Sequence, residues 1–167
     1  MTQTHNMMNE DLLKKQAYYL LNVRGVTIDD IADIVFQLQN DYVDDLTLDR
    51  CKKNIEAVLE KREVQNAVIT GIELDIAAEN GHLSPVLSDM LMRDESLYGI
   101  DEILILSIVN VYGSIGLTNF GYVDKLKPGI IGKLNDEKET RCNTFIDDIV
   151  GALAAAAASR IAHSSHH

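Results

Sequence analysis

Apolar residues recur at helical spacing along most of the chain, and this periodicity restricts the possible folds more than any other feature. Ile28, Ile31 and Val35 follow one another at i, i+3 and i+7, which places their side chains on one face of a helix. No segment alternates apolar and polar residues for long enough to indicate a β-strand. We therefore predict an all-α fold, built as a single-domain multi-helix bundle.

Residues that favour helix N-caps indicate where several helices begin. Thr27 precedes two acidic residues, which complement the free amides of a first helical turn. Ser84 precedes Pro85, and proline is best tolerated at the first position of a helix. The predicted helices start at or near Asn9, Thr27, Thr47, Arg62, Ser84, Asp101, Ser114 and Thr144, and a charged loop is predicted over residues 135–143.

The length of the chain is that of one domain. Its 167 residues are 46% hydrophobic, which is enough to form a core. We assign residues 9–163 to a single all-α domain, residues 1–8 to a disordered or tag-like N-terminus, and residues 164–167 to a tail. The tail ends in His166 and His167, which resemble the remnant of an affinity tag.

Charge and cysteine usage restrict the partners and the compartment. The formal net charge is −11 without any basic run, which excludes a nucleic-acid partner because neutralising phosphates requires clustered Lys and Arg. Cys51 and Cys142 match no metal-ligand spacing, which predicts two free thiols in a reducing compartment. The polar N-terminus has no apolar core of signal-peptide length, so we predict a cytoplasmic protein.

One segment tests the cytoplasmic assignment. Residues 103–123 include 21 positions without a charge, which is long enough to span a bilayer. Five polar residues and three glycines interrupt this segment, which makes it a poor membrane span. We predict two buried helical pieces instead, Asp101 to Val111 and Ser114 to Leu126, that meet near Gly113.

Three acidic motifs lie in segments that otherwise predict a buried core: Asp101-Glu102, Asp124 and Asp147-Asp148. The last motif is the most informative, because no charge follows it between Ile149 and Ala158. Burying an unpaired carboxylate is costly, so buried acids are normally paired, hydrogen-bonded or bound to a cation. A second interpretation is that these are ordinary helix-start acids, which are favourable without any function.

A lysine accompanies the second acidic motif. Asp124 and Lys127 are three residues apart and therefore share a face of a helix, although an ordinary surface ion pair has the same spacing. The surrounding segment, residues 125–141, is locally basic and would attract an anionic substrate. Its basic residues are Lys125, Lys127, Lys133, Lys138 and Arg141.

These motifs resemble those of the phosphatidylglycerophosphatase A family, in its soluble branch of YutG-like and low-temperature-requirement-C-like proteins. The resemblance covers about residues 62–163. It implies an all-α fold and Mg²⁺-dependent removal of the terminal phosphate of phosphatidylglycerophosphate. Gly121 stands where the membrane-bound members carry an arginine. The motifs, in the family's order, are Asp101-Glu102, Asp124-x-x-Lys127-Pro128, and Asp147-Asp148 with Gly151.

The resemblance implies a role for each candidate site residue. The expected Mg²⁺ ligands are Glu102, Asp147 and Asp148. Asp101 is expected to support them, and Lys127 to hold the substrate phosphate as a point charge. Asp124 is a metal ligand, a general base or the residue that orients Lys127. The expected substrate is an anionic phospholipid or another phosphomonoester, met by peripheral contact at the inner face of the membrane, and we expect a homo-oligomer.

Two other classes of protein remain as alternatives. One is a non-catalytic all-α oligomer with a binding or structural role, in which the acids only start helices and the Ala-rich run 154–158 forms a subunit interface. The other is an all-α nucleotide pyrophosphohydrolase, a class that carries paired acids on facing helices. Glu56, Glu60 and Glu63 match that pattern only in part.

Overall fold

The described residues form only helices, which confirms the predicted fold class. The computed structural model describes the backbone of residues 2–137 and 141–165, and the side chains of residues 11–110, 112–113, 115–137 and 141–165. The α-helices in chain order are α1 (Thr2–Val23), α2 (Ile28–Gln39), α3 (Leu48–Leu59), α4 (Arg62–Glu79), α5 (Pro85–Met92), α6 (Ile100–Leu104), α7 (Leu106–Val109), α8 (Gly113–Leu126), α9 (Ile130–Asp136) and α10 (Ile146–Ser164). The 3₁₀ turn Asn110–Tyr112 joins α7 to α8.

Helix α10 lies at the centre of the molecule. It packs against α2, α3, α4, α7, α8 and α9, and every residue from Ile146 to Ser159 is buried. The run Ala154 to Ala158 is 0% exposed, because small side chains let the neighbouring helices approach from all sides. The Ala-rich run therefore belongs to the core of this chain, and the alternative that it forms a subunit interface is wrong.

Helices that begin with their own capping side chain start where the sequence predicts. The hydroxyl of Thr27 accepts a hydrogen bond from the Asp30 amide, and the Asp30 carboxylate accepts one from the Thr27 amide, so the two form a capping box. Thr47 and Ser84 cap α3 and α5 in the same way, each accepting from an amide in the first turn. These local signals position the first half of the bundle.

Other predicted boundaries are wrong. Helix α1 begins at Thr2, well before Asn9. The continuous helix predicted from Asp101 to Val111 is divided into α6, α7 and the 3₁₀ turn, and α9 forms without a predicted start. Thr144 does not cap α10, because its hydroxyl donates to the carbonyl oxygen of Leu91 at 2.6 Å.

The uncharged segment is not buried along its whole length, contrary to the prediction of two buried pieces. Val109, Phe120 and Val123 belong to the core, whereas Ile103 and Tyr122 are 62% and 58% exposed. The helices therefore bury one face and leave apolar side chains on the other. None of the helices in the described part of the chain combines the length and the apolarity needed to cross a bilayer.

Candidate active site

All six candidate site residues line one cleft, with a volume of about 300 Å³, at the N-terminal end of α10. Its walls come from α6 and the loop before it, the C-terminal end of α8 and the first turn of α10. Motifs about twenty residues apart along the chain thus meet at one place. The residues that line the cleft are Asp94, Glu95, Ser96, Asp101, Glu102, Asp124, Lys127, Asp147 and Asp148.

Asp147 and Asp148 form the floor of the cleft. They are 4% and 7% exposed, and the Asp148 amide donates to Asp147 Oδ1 at 2.8 Å. Burial raises the pKa of the Asp148 carboxyl far above its usual range, and the nearby charge of Asp147 raises it further. The hydrogen bond that the protonated Asp148 carboxyl donates to Asp101 and the charge of Asp124 act in the same direction. Carboxylates held this close repel one another, so the floor favours a cation.

Lys127 lies between two of these acids. Its Nζ donates to Asp124 Oδ1 at 3.3 Å and lies 3.9 Å from Asp147 Oδ2. Lys127 also ends α8 in the left-handed region, with φ 47°, and Asp94 on the opposite wall has φ 49°. Non-glycine residues adopt this conformation at some cost, and such residues concentrate at functional sites. The bond to Lys127 favours the role of Asp124 as its orienting residue.

The wall formed by α6 carries the Asp101-Glu102 pair. Asp101 is half-buried and hydrogen-bonds to Asp148, whereas Glu102 is exposed at the mouth of the cleft. Asp94, Glu95 and Ser96 complete this wall, and the sequence analysis missed all three. The only signal that could have found them is their position a few residues before Asp101, because they belong to no spaced motif.

The donor set of the cleft fits a hard divalent cation such as Mg²⁺. Every described residue that lines it offers oxygen donors except Lys127, and oxygen is the ligand that Mg²⁺ prefers. Among the described residues, no three carboxylate, imidazole or thiol side chains are arranged as a complete metal site. Mg²⁺ needs fewer protein ligands, because it keeps several waters and binds to substrate phosphate through one or two carboxylates.

The other predicted features lie outside the cleft. Among the described residues that line it, Lys127 is the only cation, while Lys125 and Lys133 are exposed elsewhere and Lys138 lies outside the described residues. The acids of the pyrophosphohydrolase alternative, Glu56, Glu60 and Glu63, are exposed on α3, its C-cap and α4 and do not line the cleft. His166 and His167 also lie outside the described residues. Both cysteines are free, as predicted, and both are buried.

Gly121, where the resemblance implies an arginine in membrane-bound members, lies on α8 before Asp124. It is exposed, and a Cβ atom placed on it meets no neighbour within 4 Å. The cleft therefore has no second cation from this position. The acidic residues of the cleft therefore match the motifs of the resemblance more completely than its cationic residues, of which the described lining has only Lys127.

Comparison with known proteins shows the family of the chain. The family model described as "Phosphatidylglycerophosphatase A" matches residues 18–163. The chain is 57% identical to the "Uncharacterized protein YutG" of Bacillus subtilis over 93% of both chains, and 60% identical to "YpjQ" of the same organism over 87% of this chain and 81% of that one. The crystal structure of the low temperature requirement C protein from Listeria monocytogenes superposes with a TM-score of 0.90 at 60% identity, covering 93% of this chain and 98% of that one. The chain therefore belongs to the phosphatidylglycerophosphatase A family.

Proposed function

We propose that this protein is a Mg²⁺-dependent phosphatase that removes the terminal phosphate of phosphatidylglycerophosphate. The observation that carries the proposal is the meeting of three separate acidic motifs and Lys127 in one cleft of a chain from this family. A phosphomonoester dianion is repelled by carboxylates, so an acidic cleft suits it only with a divalent cation between them.

The residues of the chain divide the work of such a reaction. One or two carboxylates of the expected ligand set Asp147, Asp148 and Glu102 would hold Mg²⁺ together with water and substrate oxygens. Asp101 would support them through its hydrogen bond to Asp148. When bound, Mg²⁺ supplies positive charge to the phosphoryl oxygens and to the leaving oxygen. Lys127 would bind a phosphate oxygen as a point charge, and Asp124 keeps its ammonium group directed into the cleft.

Hydrolysis replaces one oxygen on phosphorus with another. The oxygen of water forms a bond to phosphorus while the bond from phosphorus to the glycerol oxygen breaks, and the proton lost by water ends on that glycerol oxygen. The carboxylates of the cleft are close enough to one another to pass this proton, since Asp101 and Asp148 already share a hydrogen bond. The products are phosphatidylglycerol and inorganic phosphate.

Exposed apolar residues support a lipid substrate over a small phosphomonoester. Leu97 precedes α6, Ile103 lies on it, and Tyr122 and Leu126 are neighbours of Asp124 and Lys127 in the chain, each more than half exposed. Apolar side chains that stay exposed on the elements carrying a site suit a surface that meets lipid or another molecule. With a net charge of −11, contact with an anionic bilayer must come from these apolar groups rather than from charge.

A phosphate-release assay tests the proposal. The protein should release phosphate from phosphatidylglycerophosphate in mixed micelles with Mg²⁺ and not with a chelator, and Asp147→Asn should lower the rate a hundredfold or more. Asp136→Asn, an exposed acid on α9, serves as the matched control and should keep the wild-type rate. Release of pyrophosphate from nucleoside triphosphates would contradict the proposal, as would release that the chelator does not affect.

A further inference from the structure

The segment that leads into α10 is held by buried polar groups from several distant helices. Asp75 of α4 is 0% exposed, and its carboxylate accepts hydrogen bonds from the amides of Phe145 at 3.0 Å and Ile146 at 2.9 Å. These are amides at the start of α10, which has no capping side chain of its own. Asp75 thus serves as an N-cap from a distant helix. The Ile146 amide that it binds directly precedes the paired acids Asp147 and Asp148.

Arg24, just after α1, holds the same segment from the other side. Its guanidinium is buried and donates to the carbonyl oxygen of Cys142 and to Asn143 Oδ1, the latter at 2.8 Å. It also pairs with both oxygens of Glu79 at 3.1 and 3.2 Å. Glu79 in turn accepts from the Cys142 amide at 2.9 Å. Arg24 and Glu79 together fix both sides of the Cys142 backbone.

The free energy spent on burying these charged groups is larger than is needed to hold a helix in place. Taking a carboxylate and a guanidinium out of water is expensive, and well-packed apolar side chains usually stabilise a core as well or better. Burial raises the pKa of Asp75 to about 7, although the amides of Phe145 and Ile146 and the thiol of Cys142 lower it. What a buried hydrogen-bond network does provide is a single backbone orientation, because hydrogen bonds depend on direction as well as distance.

We propose that Asp75, Arg24 and Glu79 are positioning residues of the cleft, which set the direction in which Asp147 and Asp148 leave α10 and so keep both carboxylates directed at one cation. The inference rests on the proposed Mg²⁺-dependent function. It gives Arg24, the residue that follows the N-terminal helix α1, a role in the site, although no described residue of α1 lines the cleft. Neither Asp75, Arg24 nor Glu79 lines the cleft itself.

The test measures Mg²⁺ affinity rather than stability alone. Isothermal titration of full-length protein with Mg²⁺, at a temperature where circular dichroism shows every variant folded, gives the dissociation constant. Asp75→Asn and Arg24→Lys should each raise the dissociation constant tenfold or more. Changes to residues that orient metal ligands typically lower metal affinity by this amount. The matched control is Gln65→Leu, which removes a buried hydrogen bond to the Leu59 carbonyl from the same helix α4 and should change the constant less than twofold.

A second readout separates positioning from simple destabilisation. In Asp75→Asn, the Mg²⁺ concentration for half-maximal phosphate release should rise tenfold, and saturating Mg²⁺ should restore most of kcat. If Asp75→Asn does not fold, Glu79→Gln decides the question, because it keeps an oxygen for the Cys142 amide and loses only the charge; its constant should rise at least threefold.

The outcomes distinguish this inference from the proposed function. Wild-type affinity in the folded Asp75→Asn and Arg24→Lys variants would overturn the inference and leave the proposed function standing. An equal loss in Gln65→Leu would also overturn it, since any loss of stability would then explain the effect. Absence of Mg²⁺ binding by the wild-type protein would overturn the proposed function, and this inference with it.

Discussion

Among single residues, Lys127 separates substrate binding from a purely structural role. Its side chain is about one-third exposed and its ammonium group lies between Asp124 and Asp147, a position that suits either a surface ion pair or a phosphate. Lys125, two residues earlier on α8, is exposed and does not line the cleft. The two lysines therefore form a matched pair for experiment.

Lys127→Ala should lower phosphate release tenfold or more, because one charge-assisted contact of about 1.5–3 kcal/mol is lost. The free energy of unfolding should change by less than about 1 kcal/mol, which is the range of exposed ion pairs. Steady-state kinetics and urea unfolding measure the two effects, and Lys125→Ala should match the wild type in both. Full activity of Lys127→Ala would exclude Lys127 as the phosphate-binding residue.

Asp148 makes the stability of the metal-free protein depend on pH. Its pKa is raised in the folded state by burial and by Asp147 and Asp101, so the folded protein binds a proton that the unfolded chain releases above its ordinary pKa of 3.8. Stability contributed by this carboxyl is therefore lost as pH rises above about 4. With a chelator present, Asp148→Asn should be more stable than the wild type at pH 7.5 by roughly 1 kcal/mol or more, and the difference should shrink at pH 4.5. Urea unfolding at pH 7.5 and pH 4.5 measures this difference in stability. A difference that does not change with pH would contradict the account.

The sequence predicts the residues that occur in spaced motifs and misses those that act only through the fold. Asp147, Asp124 and Asp101 could be found because their spacing is recognisable along the chain. Asp75 and Arg24 could not, because their partners lie about 70 and 119 residues away and become neighbours only in the folded bundle. The sequence around a buried acid in a helix does not indicate which backbone amides will donate hydrogen bonds to it.

Between elements, the contact of α4 with α10 determines where the cleft floor lies. Gly71 of α4 faces the start of α10, where an added Cβ would lie 2.5 Å from Ile149 Cδ1 and 3.1 Å from Phe145 Cβ. Those two residues flank Asp147 and Asp148 in the chain. A side chain at position 71 would therefore push against the helix turn that carries the site.

Gly71→Ala should destabilise the protein by about 1–3 kcal/mol, since Phe145 Cβ is fixed to the backbone and cannot rotate away. Gly121→Ala is the matched control in a helix, with no neighbour within 4 Å of the added atom, and should stabilise by up to about 1 kcal/mol. Thermal unfolding measured by calorimetry checks both. Equal stability of the two variants would show that α4 and α10 are packed less closely than the distances indicate.

The accuracy of the predicted elements follows from where their capping groups lie. Helices α2, α3 and α5 carry a Thr or Ser cap within their own sequence, and their starts are correct. Helix α10 takes its cap from Asp75 in α4, so Thr144 was the wrong assignment. Helices α6, α7 and α8 carry no side-chain cap of their own either, so no local capping signal marks the breaks between them.

For the whole molecule, one buried helix carries the acids from the core to a cleft whose neighbouring helices, α6 and α8, expose apolar side chains. If these side chains meet lipid, Ile103→Ser combined with Leu126→Ser should lower phosphate release tenfold or more from substrate in vesicles. The rate on a short-chain, water-soluble substrate should stay within twofold, because neither side chain lines the cleft. Vesicle flotation and kinetics measure this, with Tyr42→Ser, an 83% exposed aromatic after α2, as the control. Equal losses on both substrates would contradict a role in lipid contact.

The most direct test of the central claim locates the cation itself. Crystals soaked in Mn²⁺, which takes the same oxygen ligands as Mg²⁺ and gives an anomalous signal, should show a peak in the cleft bound by a carboxylate of Asp147 or Asp148. The account predicts metal–oxygen distances of about 2.0–2.3 Å and loss of the peak in Asp147→Ala crystals. A peak at another site, or an empty cleft at saturating Mn²⁺, would contradict it.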